Sequence, residues 1–290
     1  MEIHTAKMSP FRAFLVLAKM RIIFAVILTG FTGMLMVRRD LPRLGEIFDV
    51  FLVLLLSGAG SAIVNNLLDT DIDSRMPRTA NRDVAIRVLG RRQLWFLSLG
   101  IIFISLAYAL MFLGLPATLL TLLAIFSYAV WYTLFLKRRS PFGVVLGGLP
   151  GALPILIGGY ALSNRFAPDI WLLFLWSILW QPAHFWALSL KIREDYADAG
   201  IPALPVIYGI EYTKLHLWIY AIPLLPVSMA ITIFGGYGWI YSASAIISGV
   251  WYLYVTWVNI KDKKNYGKAF FASLIYMMVL MLAIMADILF

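Results

Sequence analysis

Apolar residues run along this chain in blocks of about twenty, far longer than the half-turn stripes of a soluble helix bundle. Nine such blocks stand out: Phe11–Val37, Ile47–Leu68, Leu94–Leu113, Pro116–Leu136, Pro141–Leu162, Pro168–Leu190, Leu215–Phe234, Trp239–Val258 and Ala269–Leu289. A helix of about 20 residues crosses the hydrocarbon core of a bilayer. Each block therefore predicts one membrane-spanning helix, and the whole predicts an all-α, polytopic bundle forming one domain over residues 1–290. Lys19 and Arg21 interrupt the first block and read as long basic side chains snorkelling at the membrane surface. No alternating ten-residue pattern of a transmembrane barrel is present.

Composition agrees: 62% of residues are hydrophobic and 13% charged, against about half and a quarter in soluble domains. The net charge of +9 raises nucleic acid as a partner, but its distribution points elsewhere. With the N-terminus placed inside, 20 of the 24 Lys and Arg fall on that side. They lie before the first span and early in it (Lys7 to Arg21), between Arg75 and Arg92, at Lys137–Arg139, around Lys191, Arg193 and Lys214, and from Lys261 through Lys263 and Lys264 to Lys268. Only Arg38, Arg39, Arg43 and Arg165 lie opposite. The positive-inside rule then predicts an inner-membrane protein with a cytoplasmic N-terminus and an outside C-terminus, its partner the lipid bilayer rather than nucleic acid. The N-terminus lacks a cleavable signal pattern, so the first span is expected to act as the insertion signal. Cysteine is absent, which excludes disulfides, thiolate metal sites and cysteine nucleophiles.

The acids carry the chemistry. Three of the 15 Asp and Glu fall in NNLLDTDID and three in REDYADAG, at the inside ends of the second and sixth spans. These open the two long inside segments, about 69–93 and 191–214. Carboxylates beside hydrocarbon are costly and persist where they have partners. Asn65, Asp69 and Asp73 are four apart, so a helix aligns them on one face. Two carboxylates and an amide suit Mg²⁺, which binds oxygen and commonly bridges carboxylates to substrate phosphates. The plain alternative is a solvated acidic loop after a helix end, where the dipole disfavours acids. Glu194, Asp195 and Asp198 form the second cluster. The bases nearby, Arg75, Arg78, Arg82, Lys137, Arg138, Lys191 and Arg193, turn the pair of clusters into a candidate metal–diphosphate site.

The segment from Asn65 to Asp73 resembles the first Asp-rich motif of the UbiA superfamily of intramembrane prenyltransferases. NNLLDTDIDSRMPRT, YTLFLKRRSP (Tyr132–Pro141), the Gly147–Gly158 run and QPAHFWALSLKIREDYADAGIPALPV (Gln181–Val206) are similar to its haem O synthases, the protohaem IX farnesyltransferases. The likeness covers the first six spans well and the last three by hydropathy alone. Departures occur: Lys19-Met20-Arg21 stands where the family reads K-P-R, Arg82-Asp83-Val84 where it reads R-P-L, and Ala183 where a proline precedes the histidine.

The resemblance implies nine transmembrane helices, Mg²⁺ as cofactor, farnesyl diphosphate as donor and haem b as acceptor. It implies metal ligation by Asn65, Asp69, Asp73, Glu194 and Asp195, and diphosphate binding by Arg21, Arg75, Arg78, Lys137, Arg138 and Lys191. Asp69, Asp73, Asp195 and Lys137 would carry catalysis, with His184 and Trp186 facing the acceptor. Packing at a Pro182 kink is the rival reading of His184, and packing is likewise the rival to cation stabilisation for Tyr128, Trp131 and Tyr132. Gly147, Gly148 and Gly151 read as close helix packing. Another acceptor (an aromatic acid, a quinone precursor or a glycerol phosphate) remains an alternative. A transporter does too, but it would place its ionisable groups near mid-bilayer rather than at one face. A non-catalytic haem-binding protein would not need the acidic motifs.

Overall fold

The computed structural model describes residues 8–262 and 265–290, and every regular element among them is helical. Lys7, Lys263 and Lys264 lie outside the described residues. The chain opens with α1 (Pro10–Ala18), started by Ser9, whose hydroxyl accepts from the Arg12 backbone N–H at 3.3 Å, and by proline in the first turn. Lys19 then adopts a left-handed conformation (φ 55°) that ends α1 and begins α2 (Met20–Arg38). This corrects the first predicted span: Phe11–Val37 is two helices, and α2 alone is the crossing. It also corrects Lys19, which turns inward instead of snorkelling.

The acid-rich end is built next. α3 (Leu44–Leu68) is followed by the short α4 (Thr70–Asp73), a 3₁₀ turn at Pro77–Thr79 and α5 (Ala80–Leu89). Ala13 and Leu17 of α1 share an apolar cluster with Ile63, Leu67, Ala85 and Ile86, so α1 and α5 cover the end of α3. The 69–93 segment is therefore mostly helical. α6 (Arg91–Phe112) returns across the membrane, and α7 (Leu115–Ile125) runs on through π-helical turns at Phe126–Leu136 into α8 (Lys137–Arg139). The short α9 (Gly143–Leu146) leads into α10 (Leu149–Tyr160), then α11 (Pro168–Lys191). α12 (Arg193–Asp198) and α13 (Leu204–Ile207) lie within the second acidic segment. α14 (Ile210–Ala221) and α15 (Leu224–Gly235) form one bent crossing, followed by α16 (Trp239–Trp257) with a π-helical turn at Val258–Asp262, and α17 (Tyr266–Leu289).

Eight helices or collinear pairs among the described residues are long and apolar enough to span a bilayer. α11, with 24 residues, is the ninth of spanning length. Trp171, Trp176, Trp180, Trp186, Gln181 and His184 lower its hydropathy, because it sits in the centre of the bundle and packs on α2, α10, α14, α15 and α17. Two of its buried indoles find carbonyls: Trp176 donates to Leu224 O at 3.1 Å and Trp180 to Ser273 O at 2.9 Å. Large apolar side chains such as Phe103, Met111, Ile233 and Ile247 cover the outside, as a lipid-facing surface requires.

Two glycine contacts set the bundle's tightest seam. A Cβ on Gly33 would lie 2.0 Å from the Ile155 carbonyl oxygen, and one on Gly158 would lie 2.0 Å from that of Gly30. The backbones of α2 and α10 therefore touch. The Gly147 and Gly151 packing read from sequence is present as well: Gly147 accommodates the Tyr132 ring and Gly151 the Gln181 amide.

Candidate active site

The four-residue spacing of Asn65, Asp69 and Asp73 survives the break between α3 and α4. Asp69 N–H donates to Asn65 O at 2.9 Å and Asp73 N–H to Asp69 O at 2.8 Å, so one helical face continues through the junction. All three side chains are buried, at 3%, 1% and 2% exposure. A carboxylate buried this far needs a cation, and each has one. Lys137 Nζ lies 2.6 Å from Asp69 Oδ2, and Arg82 Nη1 lies 2.8 Å from Asp73 Oδ2. Yet each carboxylate spends only one oxygen this way. Asp69 Oδ1 and Asp73 Oδ1 are buried and accept no hydrogen bond. Arg138 Nη2 approaches Asp69 Oδ1 only to 3.6 Å.

These two orphaned oxygens are the observation that bears on a metal. Buried acceptors without donors are expensive, and anionic oxygens from one helical face are of the kind a hard divalent cation takes. Among the described residues no three His, Asp or Glu side chains converge as a complete metal cage.

Asn65 is turned differently from the ligand expected. Its Nδ2 donates to Asp69 Oδ2 at 3.0 Å and to Thr133 Oγ1 at 2.9 Å, while its Oδ1 accepts from Lys19 Nζ at 2.5 Å. Here it orients Asp69. The π-helical turns explain the reach from α7. Thr133 Oγ1 donates to Tyr128 O five residues back at 2.8 Å, and the widened turn aims both Tyr128 and Thr133 at Asn65. Lys19 Nζ also donates to Tyr128 Oη at 3.0 Å. Burial, with the nearby Arg82 charge, pushes the Lys19 ammonium down to about 7.

Lys19 and Arg82 are thus site residues absent from the set that the sequence singled out. Arg82 was visible only as one base among several. The signal for Lys19 was the family's K-P-R pattern: proline suits the first position of a helix, and position 20 is the first residue of α2.

The second cluster meets the segment that continues from the first through a long ion pair, Arg78 Nε to Asp195 Oδ2 at 3.9 Å, with the Arg78 guanidinium over the Tyr196 ring at 5.7 Å, and through apolar packing of Ile72 and Met76 with Ala199 and Ile201. Burial raises the Tyr196 hydroxyl above its usual value. Glu194 is exposed, as are Arg21 and Arg75. Lys191 is also exposed, its ammonium over the Phe271 ring of α17 at 6.0 Å. Arg138 binds Asp71 through both guanidinium nitrogens at 2.8 Å. That contact holds the Asp71 carboxyl down at about 2.

Trp186, but not His184, reaches the cavity next to Lys137. That cavity, about 30 Å³, is lined by Tyr132, Lys137, Val144, Trp186, Tyr196 and Leu204 among others. The indole Nε1 of Trp186 is buried without an acceptor. His184 is instead sandwiched between Trp180 (4.4 Å) and Phe270 (4.3 Å), with Nδ1 2.7 Å from Ser273 Oγ of α17.

Comparison with known proteins agrees with this architecture. Residues 26–282 match the model of the UbiA prenyltransferase family. The chain is 39% identical over 255 residues to a protoheme IX farnesyltransferase of Geotalea uraniireducens (strain Rf4), covering 88% of this chain and 98% of that one. Among solved structures, a digeranylgeranylglyceryl phosphate synthase superposes with a TM-score of 0.80 at 19% identity, over 96% of this chain and 98% of its own. A UbiA homolog from Archaeoglobus fulgidus bound to GPP and Mg²⁺ superposes at 0.72 with 15% identity, over 94% of this chain and 99% of its own. The fold is shared, the family match spans most of the chain, and the identity is carried along nearly its full length: this chain belongs to the UbiA prenyltransferase family, among its protoheme IX farnesyltransferases.

Proposed function

We propose that this protein transfers the farnesyl group of farnesyl diphosphate to a vinyl group of haem b, giving haem O. The observation that carries the reading is the pair of orphaned carboxylate oxygens on Asp69 and Asp73, ringed by Lys137, Arg82, Arg138 and Lys19. Asp69 and Asp73 would hold Mg²⁺, with Asp195 completing the site from α12. Bound there, Mg²⁺ supplies positive charge that draws the diphosphate in and favours its departure. Lys137, Arg138 and Arg78 neutralise the negative charge that grows on the diphosphate as the allylic C–O bond breaks. The vinyl π electrons form the new C–C bond, water adds to the cation left on the acceptor, and that water's proton leaves to solvent or to the diphosphate. The Tyr128 and Tyr132 rings, stacked 6.5 Å apart, wall the site against water before that point. Incubating the purified protein with haem b, farnesyl diphosphate and Mg²⁺ should yield the hydroxyethylfarnesyl product by mass. Turnover of another acceptor with haem b untouched would overturn the reading.

Trp186 carries the acceptor contact in this proposal, because it lines the same cavity as Lys137 and its indole N–H is unused, whereas His184 is committed to α17. A cavity of 30 Å³ holds about one water. A macrocycle therefore enters only as the wall from Tyr196 to Leu204 moves, with Gly200 at φ 71° within it. Trp186→Phe keeps the ring and removes the donor. It should raise the acceptor KM about tenfold and leave the KM for farnesyl diphosphate unchanged. Equal KM values for both substrates in wild type and variant would remove Trp186 from the acceptor site.

The orientation proposed from the bases puts the acid-rich end in the cytoplasm of the inner membrane. Single cysteines placed between Thr79 and Asp83 should label with membrane-impermeant reagent only from that side; labelling from the periplasm alone would invert the topology.

A further inference from the structure

We propose that a second cleft at the acid-rich end, between the start of α6 and the end of the π-helical segment, binds the phosphate headgroup of an anionic membrane lipid. The cleft is a broad, open depression of about 750 Å³. It is separate from the carboxylate pair. Asp71 lies two residues from both Asp69 and Asp73, so on a helix it points to the other side, and it lines this cleft instead.

The cleft has two chemical halves. Leu68 and Leu134 supply an apolar part, continuous with the ends of spanning helices. Arg87, Arg91 and Arg138 supply a cationic part. The charges do not cancel. Arg87 pairs with Asp83 and Arg138 with Asp71. Arg91 donates only to neutral oxygens, Leu67 O at 2.9 Å and Thr70 Oγ1 at 3.1 Å, and pairs with no carboxylate among the described residues. One guanidinium is therefore left over. The Thr70 and Ser74 hydroxyls line the same space.

Position selects the ligand. Arg91 is the first residue of a 22-residue spanning helix, which sets it at the level of lipid headgroups. A free phosphate would satisfy the arginines but leave the leucine part in water. An amphiphile with an anionic head satisfies both. Arg138 forms the wall shared with the active site, bonding Asp71 on one side and approaching Asp69 to 3.6 Å on the other. The reading stands whether or not haem is the acceptor, because none of its residues depends on acceptor chemistry.

The test is lipid retention. The full-length protein is reconstituted in equimolar phosphatidylglycerol and phosphatidylcholine, extracted, and analysed by native mass spectrometry. Wild type should keep phosphatidylglycerol in about fivefold excess, the factor expected for one surplus arginine. Arg91→Gln should bring that excess close to one. Arg91 also ties Leu67 to Thr70, so a second variant, Ser74→Asp, places a repelling charge in the cleft with those bonds intact, and should act alike. Helical content is measured for both. An unchanged excess in folded Ser74→Asp, no excess in wild type, displacement by millimolar inorganic phosphate, or displacement by haem b would each overturn the proposal, the last by giving the cleft to the acceptor.

Discussion

Asp69→Asn and Asp73→Asn should each lower kcat by about 100-fold or more while leaving the protein folded and inserted. Asparagine keeps the shape and one oxygen of the carboxylate. Lys137 or Arg82 would retain a hydrogen-bond acceptor at the place where it now finds Asp69 Oδ2 at 2.6 Å or Asp73 Oδ2 at 2.8 Å. What goes is the charge, and with it the anionic partner for a divalent ion at the orphaned Oδ1 position. Alanine would be a harsher test, since it strands a largely buried lysine or arginine without a counter-charge, at about 3–5 kcal/mol. The Mg²⁺ dependence discriminates further: loss of a ligand should shift the half-saturating Mg²⁺ upward as well as lowering kcat. Either asparagine variant working within about threefold of wild type at saturating Mg²⁺ would remove that residue from the metal site. Asp195→Asn should be milder, because Asp195 is half-buried and its ion pair is a long one, 3.9 Å to Arg78 rather than to a residue of the Asn65–Asp73 face.

Much of this arrangement was legible because membrane burial leaves strong marks on sequence. Hydropathy located the eight helices or helix pairs apolar enough to cross, and α11 was found by its length and apolar run even though its tryptophans dilute the signal. The i, i+4 spacing of Asn65, Asp69 and Asp73 located one buried polar face, since charge beside hydrocarbon needs partners. Local events with no hydropathy signature were less visible. A single left-handed residue at Lys19 splits the first apolar block, and no windowed average registers one dihedral. The π-helical stretch through Tyr128 and Thr133 depends on an extra residue per turn, stabilised by tertiary partners such as Asn65. The direction of a side chain around α11 was not fixed either. His184 and Trp186 sit two residues apart, about 200° around the helix, so one faces α17 and the other the cavity beside Lys137.

Gly158→Leu should cost more stability than any other substitution considered, enough to prevent recovery of monodisperse protein. Membrane helices associate through close packing at small residues rather than through a hydrophobic driving force. The α2–α10 seam takes this to its limit. A Cβ at Gly158 would stand 2.0 Å from Gly30 O and 2.8 Å from Gly30 C, and the obstruction is backbone, which cannot rotate away. Gly33 presents the reciprocal contact, 2.0 Å from Ile155 O. Overpacking against side chains costs about 1–3 kcal/mol; here two helices must separate along their length, and the cost should exceed that range. The separation would also reach the active site, since α2 begins at Lys19, whose ammonium bonds Asn65. Gly45→Ala is the matched control, because a Cβ there meets nothing within 4 Å. The measurement is the fraction of folded protein after heating, read by size-exclusion in detergent for wild type and both variants. Gly158→Leu with a wild-type melting profile would mean that α2 and α10 do not touch at this seam, and would overturn the packing on which the position of Lys19 depends.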